Sequence, residues 1–304
     1  MSRIATPFYL RARFAVGLGY LAVVLIWGTT WYGVHTQVNG TAPHVAVALR
    51  LGLASLIFFA IAAILRLPLR LRRTQAAPVL FQGLCFFGLN YIAIYTASQY
   101  LTSGVLAVVF SISVPFNIAA DRIINGTPLK PSILLAALIG ICGIALVFGG
   151  EVEHALRAEN AWWGATLAVL AAAIVAVGNV LSSRLAASDL GSIRLNAYGL
   201  AAGTASILLW GAVSGASWSL HVTPEWTAGF AYLVLVGSVT AFAIYMKILP
   251  AVGVVAGSYI VVLSPVIAIG ISAVLESFPF GLGTITGIAL LLIGHSIIVT
   301  RRRS

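Results

Sequence analysis

The chain has 304 residues, 61% of them hydrophobic and only 8% charged, and its mean hydropathy is +1.05. Because a soluble domain carries about a quarter charged residues, this composition excludes a soluble globular protein. Basic residues at one membrane surface account for the net charge of +10, so we expect a lipid bilayer as partner and no nucleic acid.

The hydrophobic residues fall into ten stretches, each close to the roughly 20 apolar residues that a membrane-spanning helix needs. In chain order these predicted spans are 13–35, 43–65, 76–98, 102–121, 132–149, 162–184, 193–214, 226–248, 252–274 and 282–300. They form two sets of five, within residues 1–149 and 162–300, with a connecting loop at 150–161 and a basic tail at 301–304. The sequence therefore predicts an all-α integral membrane protein.

The second set of spans weakly repeats the first. At an offset of 150 residues Tyr95 aligns with Tyr245, and Pro115 aligns with Pro265. Since each set has an odd number of spans, the two sets must insert in opposite senses. Inverted repeats of this kind build many secondary transporters, which bind substrate near the bilayer midplane. We therefore predict ten transmembrane helices arranged as two inverted five-helix repeats around a central cavity.

The basic residues predict the orientation. With a cytoplasmic N-terminus, Arg50 and Arg157 are the two of the 17 Lys and Arg residues that lie on the outer half. This bias satisfies the positive-inside rule, so we expect both termini to be cytoplasmic.

Polar and aromatic side chains within the spans are the candidates for substrate contact, because each costs free energy in lipid unless it faces a cavity or a partner. Amide and hydroxyl groups can hold the ammonium and carboxylate of an amino acid, and aromatic rings can contact an ammonium group. The alternative is hydrogen bonding between helices. The candidates are Trp27, Arg50, Asn90, Tyr91, Tyr95, Asn117, Asn179, Ser183, Tyr198, Tyr245 and Tyr259.

Two of these candidates have unusual depth. Arg50 is about 10 Å inside the outer end of the second span by helical rise, where it can attract a substrate carboxylate or extend to the headgroups. Trp27 is too deep for an interfacial tryptophan, which leaves packing or a cavity wall. A single deep cation suits a small zwitterion better than a polyanion, which would require several Lys or Arg residues.

A few residues indicate whether transport is coupled to protons and which helices bend. No Asp or Glu occupies the central third of a predicted span, which favours facilitated diffusion over proton coupling. The alternative is a proton antiporter that uses His295, in the last span. Pro115 and Pro265 lie in the middle of their spans and are either hinges or static kinks, since each proline removes a backbone hydrogen bond.

Other classes of function have little support in the sequence. No HExxH or GxSxG motif, Asp pair or CxxC spacing is present, so we expect neither an enzyme nor a bound metal or cofactor. No segment resembles an ion-selectivity filter, although an oligomeric pore stays open as an alternative.

Several motifs, taken in order, resemble one transporter family. Residues 25–31 read Leu-Ile-Trp-Gly-Thr-Thr-Trp, and residues 48–51 read Ala-Leu-Arg-Leu. Ser264-Pro265 and the pair Gly287 and Gly294 follow in the last two spans. The chain thus resembles EamA-type members of the drug/metabolite transporter superfamily, and it is similar to YddG-like amino acid exporters. One departure is Asn125-Gly126-Thr127-Pro128, where the family usually has Gly-Glu before a Pro-containing loop.

This resemblance implies a ten-helix exporter of small metabolites, often amino acids. It implies transport by alternating access in a bacterial cytoplasmic membrane, with a small molecule as substrate. We expect the protein to be a monomer or a weak homodimer.

Overall fold

A computed structural model describes residues 5–38, 41–97, 100, 109–110, 112–156, 160–275 and 281–301. Within these ranges the chain has no strand and forms ten helices of at least 13 residues. They are α1 Ala5–Val38, α2 Pro43–Ile64, α3 Arg73–Ala97, α4 Ser113–Asn125, α5 Pro131–Leu156, α6 Ala161–Ala187, α7 Gly191–Val213, α8 Pro224–Val252, α9 Val254–Leu275 and α10 Leu282–Arg301. The all-helical prediction is confirmed.

The helices α2, α3, α6 and α8 are each long and apolar enough to cross a membrane. The described residues also include shorter apolar helical segments at Phe14–Thr30, Pro131–Gly143 and Leu282–Gly294. This pattern is that of a multi-pass membrane protein.

Several helix bounds differ from the predicted spans, and two of these differences have a clear physical reason. Helix α5 continues to Leu156, into the segment predicted as a connecting loop, because Glu151 and Glu153 are good helix formers that hydropathy alone does not register. The described α4 begins at Ser113, two residues before Pro115, whereas residues 101–108 and 111 lie outside the described part. A proline clashes with the carbonyl four residues earlier, which favours a helix start close to it.

Helices α3 and α8 each contain a segment of π-helix near the middle. These segments are Leu84–Leu89 in α3 and Leu233–Thr240 in α8. Both helices are the third of their set, so the two irregular segments occupy matching places. A π-helical segment displaces backbone carbonyls from the regular hydrogen-bond pattern, and such segments are frequent at functional sites.

Helices α2 and α7 pack against each other in antiparallel directions. Near one end His44 contacts Gly211, and further along the Ser55 hydroxyl donates to the Ala197 carbonyl over 2.8 Å. As the residue number rises on α2, its partner on α7 falls. The second helices of the two sets therefore form the centre of the interface between the sets.

Helices α5 and α10, the fifth of each set, also run antiparallel. A Cβ atom at Gly143 would lie 2.7 Å from the Gly287 carbonyl oxygen, and one at Gly294 would lie 2.7 Å from the Ala136 carbonyl oxygen. Only glycine permits this approach of two backbones, which is how small residues pack helices in membranes.

Several other contacts between the sets come in matched pairs. Helix α1 packs on α8 and α9, and α6 packs on α3 and α4. Likewise α3 packs on α7, and α8 packs on α2. Exchanging the first set for the second converts each contact into its counterpart.

One end of the α2–α7 pair is closed by hydrogen bonds between two loops, and we name it the Thr41 end. The Ala42 amide donates to the Ser219 carbonyl over 3.0 Å. The His221 amide donates to Thr41 Oγ1 over 3.0 Å. These bonds join the connection before α2 to the connection before α8.

The opposite end, the Asp189 end, has a matching junction between the loops before α3 and α7. Arg72 and Asp189 form an ion pair of 2.8 Å, and Arg194 Nη1 donates to the Pro68 carbonyl over 3.0 Å. The Tyr198 hydroxyl donates to the Leu69 carbonyl. Both ends of the α2–α7 pair are therefore bonded in the same structure.

Candidate functional site

Arg50 is a buried cation whose partners are neutral. Its side chain is 5% exposed, and its Nε donates to Ser238 Oγ over 2.8 Å. The Tyr95 hydroxyl lies beside the guanidinium group and interacts with it electrostatically. Among the described residues Arg50 forms no ion pair with an acidic side chain. The side chain lies inside the helix bundle rather than on its surface.

The π-helical segment of α8 brings other side chains to Arg50. Trp27 Nε1 donates to the Gly237 carbonyl over 3.3 Å. A Cβ atom at Gly237 would lie 2.7 Å from Thr30 Cγ2 and 3.5 Å from Arg50 Nη2. Helices α1, α2, α3 and α8 therefore meet at one place. We name it the Arg50 centre, formed by Trp27, Thr30, Arg50, Tyr95 and Ser238.

A cavity of about 230 Å³ opens toward the Thr41 end, between α2, α3 and α7. Its wall includes His44, Tyr91, Tyr95, Thr96, Ile207 and Trp210, and we name it the Tyr91 cavity. The rings of Tyr91 and Tyr95 stack with centroids 6.2 Å apart, as their i, i+4 spacing on α3 predicts. Tyr95 thus belongs both to the cavity wall and to the Arg50 centre.

Trp27 also contacts a second group of candidates. The Trp27 ring packs on Tyr245 with centroids 5.1 Å apart and on Phe242 at 5.6 Å. The Tyr245 hydroxyl donates to Asn179 Oδ1 over 2.6 Å. The structure therefore brings Trp27, Asn179 and Tyr245 together as a packed bridge between α1, α6 and α8.

Four other candidates make hydrogen bonds to residues outside both groups. Asn90 Nδ2 donates to the Phe86 carbonyl and Asn117 Nδ2 to the Ser113 carbonyl, each within its own helix. Tyr198 is part of the junction at the Asp189 end. The Tyr259 hydroxyl donates to the Ala136 carbonyl over 2.8 Å and joins α9 to α5.

Ser183 is partly buried, and its neighbour Ser182 makes the contact between helices. Ser182 Oγ accepts from Gln82 Nε2 over 2.8 Å. Gln82 and Ser238 are buried polar residues that the sequence reasoning did not select. Their signal was the same as that of the selected residues, a polar side chain within a predicted apolar span.

The structure describes Pro115, Pro265 and His295 to different extents. Pro115 lies in the first turn of the described α4. The backbone at Pro265 is helical within α9, but the side chains of Pro265 and His295 lie outside the described part. Among the described residues, no three His, Cys, Asp or Glu side chains are grouped so as to hold a metal ion.

Known proteins match this chain along nearly its whole length. The EamA-like transporter family matches twice, at residues 14–149 and 162–300. An uncharacterized transporter of Bacillus subtilis (strain 168), YoaV, is 25% identical over 260 residues, which cover 84% of this chain and 86% of YoaV.

A solved crystal structure has the same fold. It superposes with a TM-score of 0.78 at 19% identity and covers 95% of this chain and 98% of its own chain. The family match spans both sets of helices, and both the family and YoaV carry the name of transporters. The chain belongs to the EamA-like transporter family.

Proposed function

We propose that this EamA-family transporter exports small metabolites that carry a carboxylate, most simply zwitterionic amino acids. The observation that supports this substrate class is Arg50, buried with Ser238 and Tyr95 as neutral partners. A buried charge without an opposite charge is costly. A substrate carboxylate would supply that charge and could accept two hydrogen bonds from the guanidinium fork.

The size and polarity of the surroundings favour a small solute. The Tyr91 cavity holds about 230 Å³, and its wall combines aromatic rings with the hydroxyl groups of Tyr91, Tyr95 and Thr96. One buried cation suits one carboxylate, whereas a phosphate or a nucleotide sugar would call for several cations. Tyr91, Tyr95 and Trp27 are the aromatic groups that we assign to contact the substrate.

The arrangement of the helices supports two inverted repeats. Equivalent helices of the two sets, α2 with α7 and α5 with α10, run antiparallel. Several other contacts exchange in pairs between the sets. The Asp189 end carries Arg66, Arg70, Arg72, Arg73 and Arg184, so the positive-inside rule assigns this end to the cytoplasm. In a bacterial cytoplasmic membrane the Tyr91 cavity then faces outward.

This geometry supports alternating access about a fixed axis. Both ends of the α2–α7 pair are bonded at once, so this pair is the axis rather than a gate. Helices α4 and α9 contact α6 and α1 and carry Pro115 and Pro265, which we assign as hinges. Without an acidic group in the central part of the spans, transport runs down the concentration gradient of the substrate by facilitated diffusion.

Counterflow into proteoliposomes tests the proposed function. Purified protein would be screened with the twenty amino acids. The best substrate would then be compared with its amide, which lacks the carboxylate, and with its deaminated acid, which lacks the ammonium group. We expect saturable counterflow that the acid inhibits more strongly than the amide. Equal inhibition by both analogues would contradict carboxylate recognition, and non-saturable flux would indicate a channel.

A further inference from the structure

We propose that Tyr95 is a specificity-determining cover over Arg50, which a ligand must displace before it reaches the cation. This inference rests on the proposed function, because it concerns the same site. Arg50 is not among the described residues that line the Tyr91 cavity, whereas Tyr95 is. Arg50 is buried and the Tyr95 hydroxyl lies beside its guanidinium group, which makes the Tyr95 side chain the cover between the open cavity and the cation.

The Arg50 side chain is held in place independently of Tyr95. Ser238 Oγ receives the Nε hydrogen at 2.8 Å, so the guanidinium stays oriented when Tyr95 moves away. The terminal nitrogens then become the donors that an incoming ligand meets. Tyr91 stacks on the Tyr95 ring and keeps it in the covering position when no ligand is bound.

The cover selects ligands by the strength of their acceptor. A phenol oxygen is a neutral acceptor, whereas a carboxylate forms a charge-assisted and often bidentate pair with arginine. A carboxylate therefore displaces the Tyr95 hydroxyl, but a neutral amide gains too little over the phenol to do so. Tyr95 thus excludes neutral solutes from a site whose cavity walls would otherwise accept them.

Thiol reactivity tests this inference without a transported substrate. Cys85 and Cys142, the free cysteines among the described residues, would first be replaced by alanine. A reporter cysteine at Ser238 lies behind Tyr95, and a control cysteine at Thr96 lies on the cavity wall. Each would be reacted in detergent with the anionic thiol reagent sulfonatoethyl methanethiosulfonate, with Tyr95 intact and with Tyr95→Phe.

With Tyr95→Phe we expect the reporter at Ser238 to react about tenfold faster, since the polar contact of Tyr95 with a charged group is lost. The control at Thr96 should keep its rate. A second reporter, Thr30→Cys, serves if Ser238→Cys disturbs Arg50. Equal rates with and without the Tyr95 hydroxyl would overturn the inference, and so would an equal increase at Thr96, which indicates a general opening.

An added Arg50→Gln substitution should abolish the preference of the reporter for the anionic reagent over a neutral one of the same length. Persistence of that preference would also overturn the inference. These rates do not depend on which solute is transported. If no amino acid is transported but the thiol reactivities are as expected, the proposed substrate class is wrong. The role of Tyr95 as a cover over Arg50 is then still supported.

Discussion

The Tyr245 hydroxyl donates a hydrogen bond to Asn179 Oδ1 over 2.6 Å and joins α8 to α6. Both side chains are buried, and Trp27 packs on the Tyr245 ring. Because each polar group uses the other, we expect the pair to brace two helices rather than to contact a ligand.

We expect Tyr245→Phe to lower the free energy of unfolding by about 0.5–1.5 kcal/mol, since it leaves the Asn179 acceptor without its donor. Thermal unfolding in detergent, followed by tryptophan fluorescence, measures this loss. Substrate affinity should be nearly unchanged. A large loss of affinity at unchanged stability would instead identify Tyr245 as a substrate contact.

The two loop junctions predict that the α2–α7 pair does not open during transport. At the Asp189 end, Gln75 Nε2 also donates to Asp189 Oδ1 over 2.8 Å. In a cysteine-free background, Thr41→Cys with His221→Cys and Gln75→Cys with Asp189→Cys would each be cross-linked by a short bifunctional thiol reagent. Counterflow should continue with both links in place. Thr96→Cys with Ser217→Cys spans the Tyr91 cavity, and this control link should stop transport.

If a link at either junction stops transport as the control does, that junction is a gate. The junction at the Asp189 end is the more informative, because an ion pair between exposed side chains contributes only about 0–1 kcal/mol and would be easy to break in a cycle.

The two prolines predict an effect on rate rather than on affinity. Pro265→Ala restores a backbone hydrogen bond within α9, and Pro115→Ala removes the clash that favours a helix start near Ser113, so both substitutions stiffen their helices. We expect each variant to bind substrate with nearly normal affinity and to show slower counterflow. Binding by equilibrium dialysis and initial counterflow rates separate the two effects. Altered affinity at an unchanged rate would mean that the prolines are static kinks.

Gly143 predicts a loss of stability that is independent of substrate. Any larger side chain there meets the Gly287 carbonyl of α10, and overpacking of this kind costs about 1–3 kcal/mol. Gly143→Leu should therefore lower the thermal unfolding temperature in detergent. Gly17→Leu is the matched control, because a Cβ atom at Gly17 has open space around it. Equal effects of the two substitutions would contradict the packing of α5 on α10.

Part of this architecture could be predicted from the sequence because it depends on local pattern. The i, i+4 spacing of Tyr91 and Tyr95 gave their shared face, and the position of Arg50 within an apolar span gave its depth. The bond from Arg50 to Ser238 joins residues 188 positions apart, so no local pattern contains it. The π-helical segments depend on packing against neighbouring helices, and propensity alone does not register them.

The same limit explains why the candidates divided into several groups. Polarity within a span selected Tyr198 and Tyr245 alike, yet Tyr198 bonds to the loop before α3 and Tyr245 bonds to α6. Which of these residues faces a cavity depends on how the helices rotate against each other. That rotation follows from side-chain packing over the whole interface and not from the residue type.

The central claim is that Arg50 recognises the carboxylate of the substrate. The most direct test is the affinity of purified Arg50→Gln and Arg50→Lys for the best amino acid and for its amide, with the exposed Arg184→Gln as control. We predict that Arg50→Gln weakens amino acid binding by about 10- to 150-fold, the value of a hydrogen bond to a charged group. Amide binding should change little, and Arg50→Lys should recover part of the loss. Amino acid affinity that is unchanged in Arg50→Gln, with normal folding, would contradict the account.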